Sequence, residues 1–216
     1  MNKTLASAVM AAWILAGGLA SLGKAAGAYS NDELVRINVN VRNYAQLDRK
    51  TLVRAGEVAR GLLQRAGVEI SITVLAPEEA YLEGASQGSL DLSIKVLSRE
   101  MTEKLGLPTT LMGLAPGEER ERTEAFVFAH RAEELARLQT DASVVQILGH
   151  AIAHEIGHLF NLSHCSQGIM HGDWDKHDLK EMAMGRLSFS TRQTAQVRAE
   201  ALRRTHPQAR EMASVR

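Results

Sequence analysis

The sequence is short of several things, and each shortage closes off a class of protein. It has one cysteine, Cys165, among 216 residues. An intrachain disulfide is therefore impossible, and no cysteine precedes position 165 to carry a lipid on a leader. Charge of either sign is not in excess: 25 Lys and Arg face 25 Asp and Glu. Aromatic residues make up only 4% and interleave with no basic run, so nucleic acid is not an expected partner. Internal repeats and low-complexity tracts are absent too. What is present is 45% hydrophobic and 23% charged positions. That is enough for one globular domain with a real core, and too little for two large ones.

The N-terminus stands apart. Lys3 precedes the uncharged apolar stretch LASAVMAAWILAGGLASL (5–22), and AGA at 26–28 supplies small residues. This is the pattern of a secretory signal peptide, 1–28, cleaved after Ala28. The competing reading is an uncleaved anchor, but the run is borderline for a bilayer and Gly17-Gly18 interrupts it. A secreted or periplasmic location is expected, with no lasting membrane anchor. The first strand begins within about seven residues of that cleavage point, which leaves no room for an inhibitory propeptide.

The rest reads as one domain over 29–206, with 29–161 and 162–206 as its two parts and 207–216 as a tail. VRINVNVRN (35–43) alternates apolar and polar residues, as a half-buried strand does. The spacing of Leu52, Ala55, Ala59, Leu62, Leu63 and Ala66 predicts a helix over 47–67, with Asp48 to cap it and Gly67 to end it. VEISITV (68–74) and LDLSIKV (90–96) alternate again. A helix between the first two strands is long enough for a parallel crossover. TLMGLAPG (110–117) and EAFVFAH (124–130) read as two more strands, joined by a charged solvated link. A second long helix starts at Asp141 or Ser143 and runs to about Phe160. Two further helices follow, over 175–185 and 188–206, the latter with a capping box of Ser190 and Gln193.

The stretch HAIAHEIGHLFNLSHCSQGIM (150–170) carries the chemistry. His154 and His158 are four apart, so on a helix they share one face. Both rings can reach one zinc, and Glu155 beside them can accept a proton from water without being a ligand. A catalytic zinc wants a third protein ligand. His164 is the candidate, but on a continued helix it would lie about 9 Å further along the axis and point away. The helix must therefore break, and Asn161 is a residue that tolerates the left-handed conformation. Glu181, on the next helix, is the alternative third ligand.

The neighbours read more blandly. His150 lies about 12 Å from His158 along a straight helix and cannot share its metal. It suits a core or supporting role. Cys165 reads either as a thiolate donor or as a small packed residue. His177 reads as surface, and Trp174 as a packing anchor.

His154-Glu-Ile-Gly-His158-Leu-Phe-Asn-Leu-Ser-His164 resembles the metzincin zinc-peptidase motif HExxHxxGxxH, with Asn161 in place of the usual Gly. Gly168-Ile169-Met170 resembles the methionine turn beneath the metal in that clan, six residues after His164. The whole chain resembles signal-bearing bacterial proteins with an HEIGH…GIM core. The resemblance implies an α+β fold: a mixed, mostly parallel twisted sheet of four to five strands, a long crossover helix, a zinc-binding active-site helix, and a small helical C-terminal part. It implies one catalytic Zn2+ on His154, His158 and His164, with Glu155 as general base. It implies an endopeptidase acting on peptides or proteins, which pair with an edge strand, here 110–117, with 124–130 next inward. Some metzincins place a tyrosine two residues after the methionine. Gly172 stands there instead, so that role is absent or passes to another residue. His171 follows the methionine directly. The rival from another class is a zinc-binding scaffold without turnover.

Overall fold

Alternating side chains make β1 (Val35–Asn43) a strand, and its neighbours explain why it is covered so thoroughly. The computed structural model describes residues 35–79, 90–117, 122–138 and 141–206. In it β1 pairs in parallel with both β2 (Val68–Leu75) and β3 (Leu90–Leu97). Val35, Ile37, Val39 and Val41 are each no more than 1% exposed. β5 (Glu124–Phe128) extends the sheet in parallel beside β3, and β4 (Gly113–Leu114) closes it in antiparallel. The order is β2-β1-β3-β5-β4. The expected mixed, mostly parallel sheet is present, with 113–114 at the edge and 124–128 next inward.

The crossover from β1 to β2 is α1 (Arg49–Arg65). Asp48 caps it by accepting from Thr51 N at 3.2 Å, and Gly67, at φ 77°, lets the chain turn into β2. Leu52, Ala55, Ala59, Leu62 and Leu63 form its buried stripe. Against α1 lies α4 (Val144–Leu159), started by a capping box of Ser143 and Gln146. The two helices pack so closely that a Cβ on Gly149 would lie 2.5 Å from Val58 Cβ and 2.7 Å from the Ala55 carbonyl oxygen. α4 is apolar nearly all round because α1, the sheet and the helices on either side of it in the chain pack against it. Each large side chain buried there contributes roughly 1.5–3 kcal/mol.

α5 (Lys176–Ala183) starts at its N-cap Asp175. α6 (Thr191–Thr205) carries the expected Ser190–Gln193 box. Arg204 of α6 donates to the Leu159 carbonyl at 2.9 Å and to the Arg122 carbonyl at 2.8 Å. Gln196 donates to the Asn161 carbonyl at 2.9 Å. The last helix thus ties the end of α4 to the entrance of β5.

Two expectations need correction, and one element was not expected. The strand over 110–117 shrinks to two residues. Its flanks, Pro108 and Pro116, offer no backbone N–H to a ladder. The strand over 124–130 stops at Phe128, and Ala129 and His130 begin α3 (Ala129–Leu138), with no cap, glycine or proline to mark the change. A short helix, α2 (Arg99–Lys104), stands in a segment that had no prediction, capped by Ser98 Oγ accepting from Met101 N at 3.1 Å. The expected leader at 1–28, the middle of the charged link at 118–121 and the tail after 206 lie outside the described residues. Among the described residues no helix is long and apolar enough to cross a membrane.

Candidate metal centre

The second half of α4 sends His154 and His158 from one face, as their spacing requires. The helix then ends in a Schellman turn. Leu162 N donates to the Gly157 carbonyl at 3.0 Å and Asn161 N to the His158 carbonyl at 3.0 Å. Asn161 sits at φ 60°, where a side chain other than Asn or Gly is strained. Its Nδ2 also donates to Glu200 Oε1 of α6 at 3.2 Å. Asn161→Ala is expected to destabilise the protein by about 1 kcal/mol, lowering Tm by about 2–4 °C. Asn161→Gly, which tolerates the angle, stays closer to the parent. Thermal unfolding of the two variants checks this, and equal Tm values would show that φ is not what selects asparagine.

The reversal brings His164 back over the helix. Nε2 of His158 lies 3.0 Å from Nε2 of His154 and 3.0 Å from Nε2 of His164, and the third separation is 3.2 Å. A tetrahedral ion with bonds of 2.0–2.1 Å has ligand edges of about 3.3 Å, so the triangle is close to one face of it. The outer nitrogens fix the ring tautomers. His154 Nδ1 donates to the Ile169 carbonyl at 2.7 Å, and His158 Nδ1 to the Leu162 carbonyl at 2.8 Å. With those protons so placed, both Nε2 atoms carry lone pairs that point at one another and at His164. A cation among them satisfies all three nitrogens at once, and the residues present fit a zinc ion.

Glu155 is 2% exposed, and its Oε2 has no hydrogen-bond partner among the described residues. Burial pushes its carboxyl up to about 8, a rise opposed by the positive charge of Arg122. A Cβ on Gly113 of β4 would lie 2.3 Å from Glu155 Oε1, so the edge strand touches the carboxylate directly. Both residues line a cleft of about 320 Å³, bounded also by the rest of 110–115, by Arg122 and Arg131, and by His171 to Trp174. Met170 is fully buried, and its sulfur packs against α4 where a Cβ on Gly157 would come within 2.7 Å.

Of the residues singled out by sequence, the fold brings together His154, His158 and His164, with Glu155 lining the same cleft. Glu181 lies outside the histidine cluster and is held by Arg186 at 2.6 and 2.8 Å. Cys165 is exposed; its Sγ donates to the Gln167 carbonyl at 2.8 Å and accepts from Gln193 at 3.2 Å. His150 is buried and donates to the Gln146 carbonyl at 2.8 Å, which suits the supporting role. His177 is exposed. Trp174 does two things: its Nε1 donates to the Ile169 carbonyl at 3.2 Å, and its ring faces the cleft, edge-on to His154. Sequence reasoning missed Gly113, Gly157, Arg122 and the partner of His171. A glycine inside a helix costs about 1 kcal/mol, and that alone marks Gly157 as a packing position.

Without metal, the site is sensitive to acid. Burial pushes His154 down to about 3 and lowers His150 and His158 as well. Below the ordinary value of about 6.5 the unfolded chain takes up protons that the folded one refuses, so stability falls with pH. Glu155 acts in the opposite sense. Folded, it keeps a proton up to about 8 that the unfolded chain loses near 4.5, so stability from this group is lost as pH rises through that window. The metal-free protein is therefore expected to be most stable near neutrality. Between pH 6.5 and 4.5 the His154 and Glu155 contributions oppose each other, so the fall in Tm that calorimetry in chelator should record comes from His150 and His158. A flat profile in that range would refute the buried neutral histidines.

Residues 129–214 match the profile described as "Putative peptidase family". Among solved structures, archaemetzincin from Methanopyrus kandleri is similar over 77% of this chain and 96% of that one, at 16% identity and a TM-score of 0.48. Metalloproteinase-II from Bacteroides fragilis is similar over 78% of this chain, at 12% identity and a TM-score of 0.46; the chain spans only 55% of its length. No curated protein matches the chain.

Proposed function

We propose that this chain is an exported, zinc-dependent endopeptidase of metzincin type, with His154, His158 and His164 as ligands of one zinc and Glu155 as general base. The observation that carries the reading is the convergence of three imidazole nitrogens at 3.0–3.2 Å. Glu155, on the same helical turn, adds a carboxylate that metal binding alone does not need. The likeness of 129–214 to a peptidase family agrees with it. Export rests on the leader pattern at 1–28.

Zinc at such a site supplies Lewis acidity and brings the pKa of water to about 7. The chain's own residues supply the rest. The carbonyls of Ile169 and Leu162 hold the rings of His154 and His158 with Nε2 inward. Glu155 accepts the proton of the attacking water and returns it to the leaving amine. The buried position of its carboxylate, 2% exposed, keeps bulk water from competing for that proton. A substrate in extended form pairs with β4, whose outer edge faces the cleft.

Digestion of a peptide library by the purified protein, with and without chelator, tests the reading. Internal cleavage that disappears with chelator and returns with zinc is the expected result. Terminal trimming alone would replace endopeptidase by exopeptidase. Stoichiometric zinc without cleavage would point to the silent scaffold.

A further inference from the structure

His171 follows the methionine turn and lines the same cleft as Glu155. Its Nδ1 lies 2.6 Å from Asp178 Oδ2. Asp178 is itself 5% exposed and belongs to the first turn of α5, where it also accepts from Asp175 N at 3.2 Å. The backbone around the ring is fixed as well: His171 N donates to the Gly168 carbonyl at 3.0 Å, and Cys165 N to the Met170 carbonyl at 3.0 Å. This is a ring on the wall of the cleft, held at Nδ1 by a buried carboxylate. A surface histidine has no use for such a mounting. In a zinc hydrolase, the oxygen that turns negative when water adds to the carbonyl is stabilised by a donor on the cleft wall.

We infer that His171, oriented by Asp178, donates a hydrogen bond from Nε2 to the oxyanion formed during hydrolysis. The inference rests on the zinc-hydrolase reading and adds a residue to it. The Asp178 carboxyl beside Nδ1 fixes the orientation of the ring. No proton is transferred and no covalent bond changes at His171; the hydrogen bond shortens as charge grows on the oxygen. Asp178 touches no substrate and is a positioning residue.

The test uses His171→Ala, His171→Gln, Asp178→Asn and the double variant His171→Ala/Asp178→Asn. Asparagine keeps an oxygen that can accept from Nδ1 and from Asp175 N, so α5 retains its cap. His171→Ala should lower kcat about 10²–10³-fold, the loss typical of one oxyanion donor, with KM within about threefold and zinc content unchanged. His171→Gln, which keeps an N–H, should recover part of the rate. Asp178→Asn should cost roughly tenfold alone and nothing further in the double variant, because it acts only through the ring. Inorganic phosphate gives a readout independent of turnover. Its affinity for the cobalt-substituted protein, followed in the visible spectrum, should drop at least about tenfold in His171→Ala. Phosphate binding that depends on His171 in a protein that cleaves no peptide would remove the peptidase reading, and with it the oxyanion, while keeping His171 as an anion donor of this cleft. Loss of metal in His171→Ala would overturn the inference, as would kcat and phosphate affinity within twofold of the parent. Additive losses in the double variant would overturn the part given to Asp178.

Discussion

Glu155→Gln is expected to lower kcat about 10²–10⁴-fold while one zinc remains bound per chain. Glutamine has the shape of glutamate, so the packing against Gly113, where a Cβ would lie 2.3 Å from Oε1, is kept. What is lost is the ability to take a proton from water. None of the three converging nitrogens belongs to this residue, so metal content should not move, and KM should change little. The same variant has a second signature. Its neutral amide cannot ionise, so the loss of stability that the buried carboxyl causes as pH rises from about 4.5 to about 8 should vanish in the metal-free protein. Turnover of a fluorogenic peptide, zinc by atomic absorption and Tm at pH 9 check the three parts. Retained turnover with intact zinc would remove Glu155 from the mechanism.

His164→Ala is expected to weaken zinc binding roughly 10²–10³-fold and to abolish turnover at micromolar zinc. A four-ligand zinc site is worth about 10–16 kcal/mol, so one ligand carries about a quarter of it. His164 is the exposed member of the triad, and it sits on the returning strand of chain rather than on α4. Its loss leaves the helix intact but only two imidazoles that would hold the metal. The stabilisation that zinc gives the parent, about 4 kcal/mol at a thousandfold excess over Kd, should shrink with it. Scanning calorimetry with and without zinc reads this as the collapse of a metal-dependent rise in Tm. Glu181→Ala is the control. Because that carboxylate is engaged by Arg186 at 2.6 and 2.8 Å, zinc and rate should both be unchanged. Undiminished zinc in His164→Ala, or its loss in Glu181→Ala, would reverse the ligand assignment.

Much of this was legible because it is local. Alternation over nine residues of β1, the caps at Asp48 and Ser190, and the four-residue step from His154 to His158 are properties of short windows. So is the break at Asn161, which a left-handed residue announces. What stayed hidden depends on partners far away in the chain. Asp178 is recognisable as a partner of His171 only after α5 has docked. Gly113 gains meaning only when it lies on Glu155, 42 positions later in sequence. α3 was missed for the opposite reason: β5 runs straight into it, so the periodicity changes with no punctuation at Ala129.

The bare backbone at position 113 has one more consequence. β4 contributes only two paired residues, Gly113 with Val127 and Leu114 with Phe126, too short a ladder to hold its own alignment. If it slid by one residue, Met112 or Leu114 would set a side chain where even a Cβ would lie 2.3 Å from Glu155 Oε1 and 2.6 Å from the Phe126 carbonyl oxygen. The carboxylate is thus a doorstop for the strand as well as a chemical group. Truncating it to alanine would unlatch the proposed substrate strand at the same moment as it removed the proposed base. For a knockout meant to trap an intact substrate, glutamine is the residue to use.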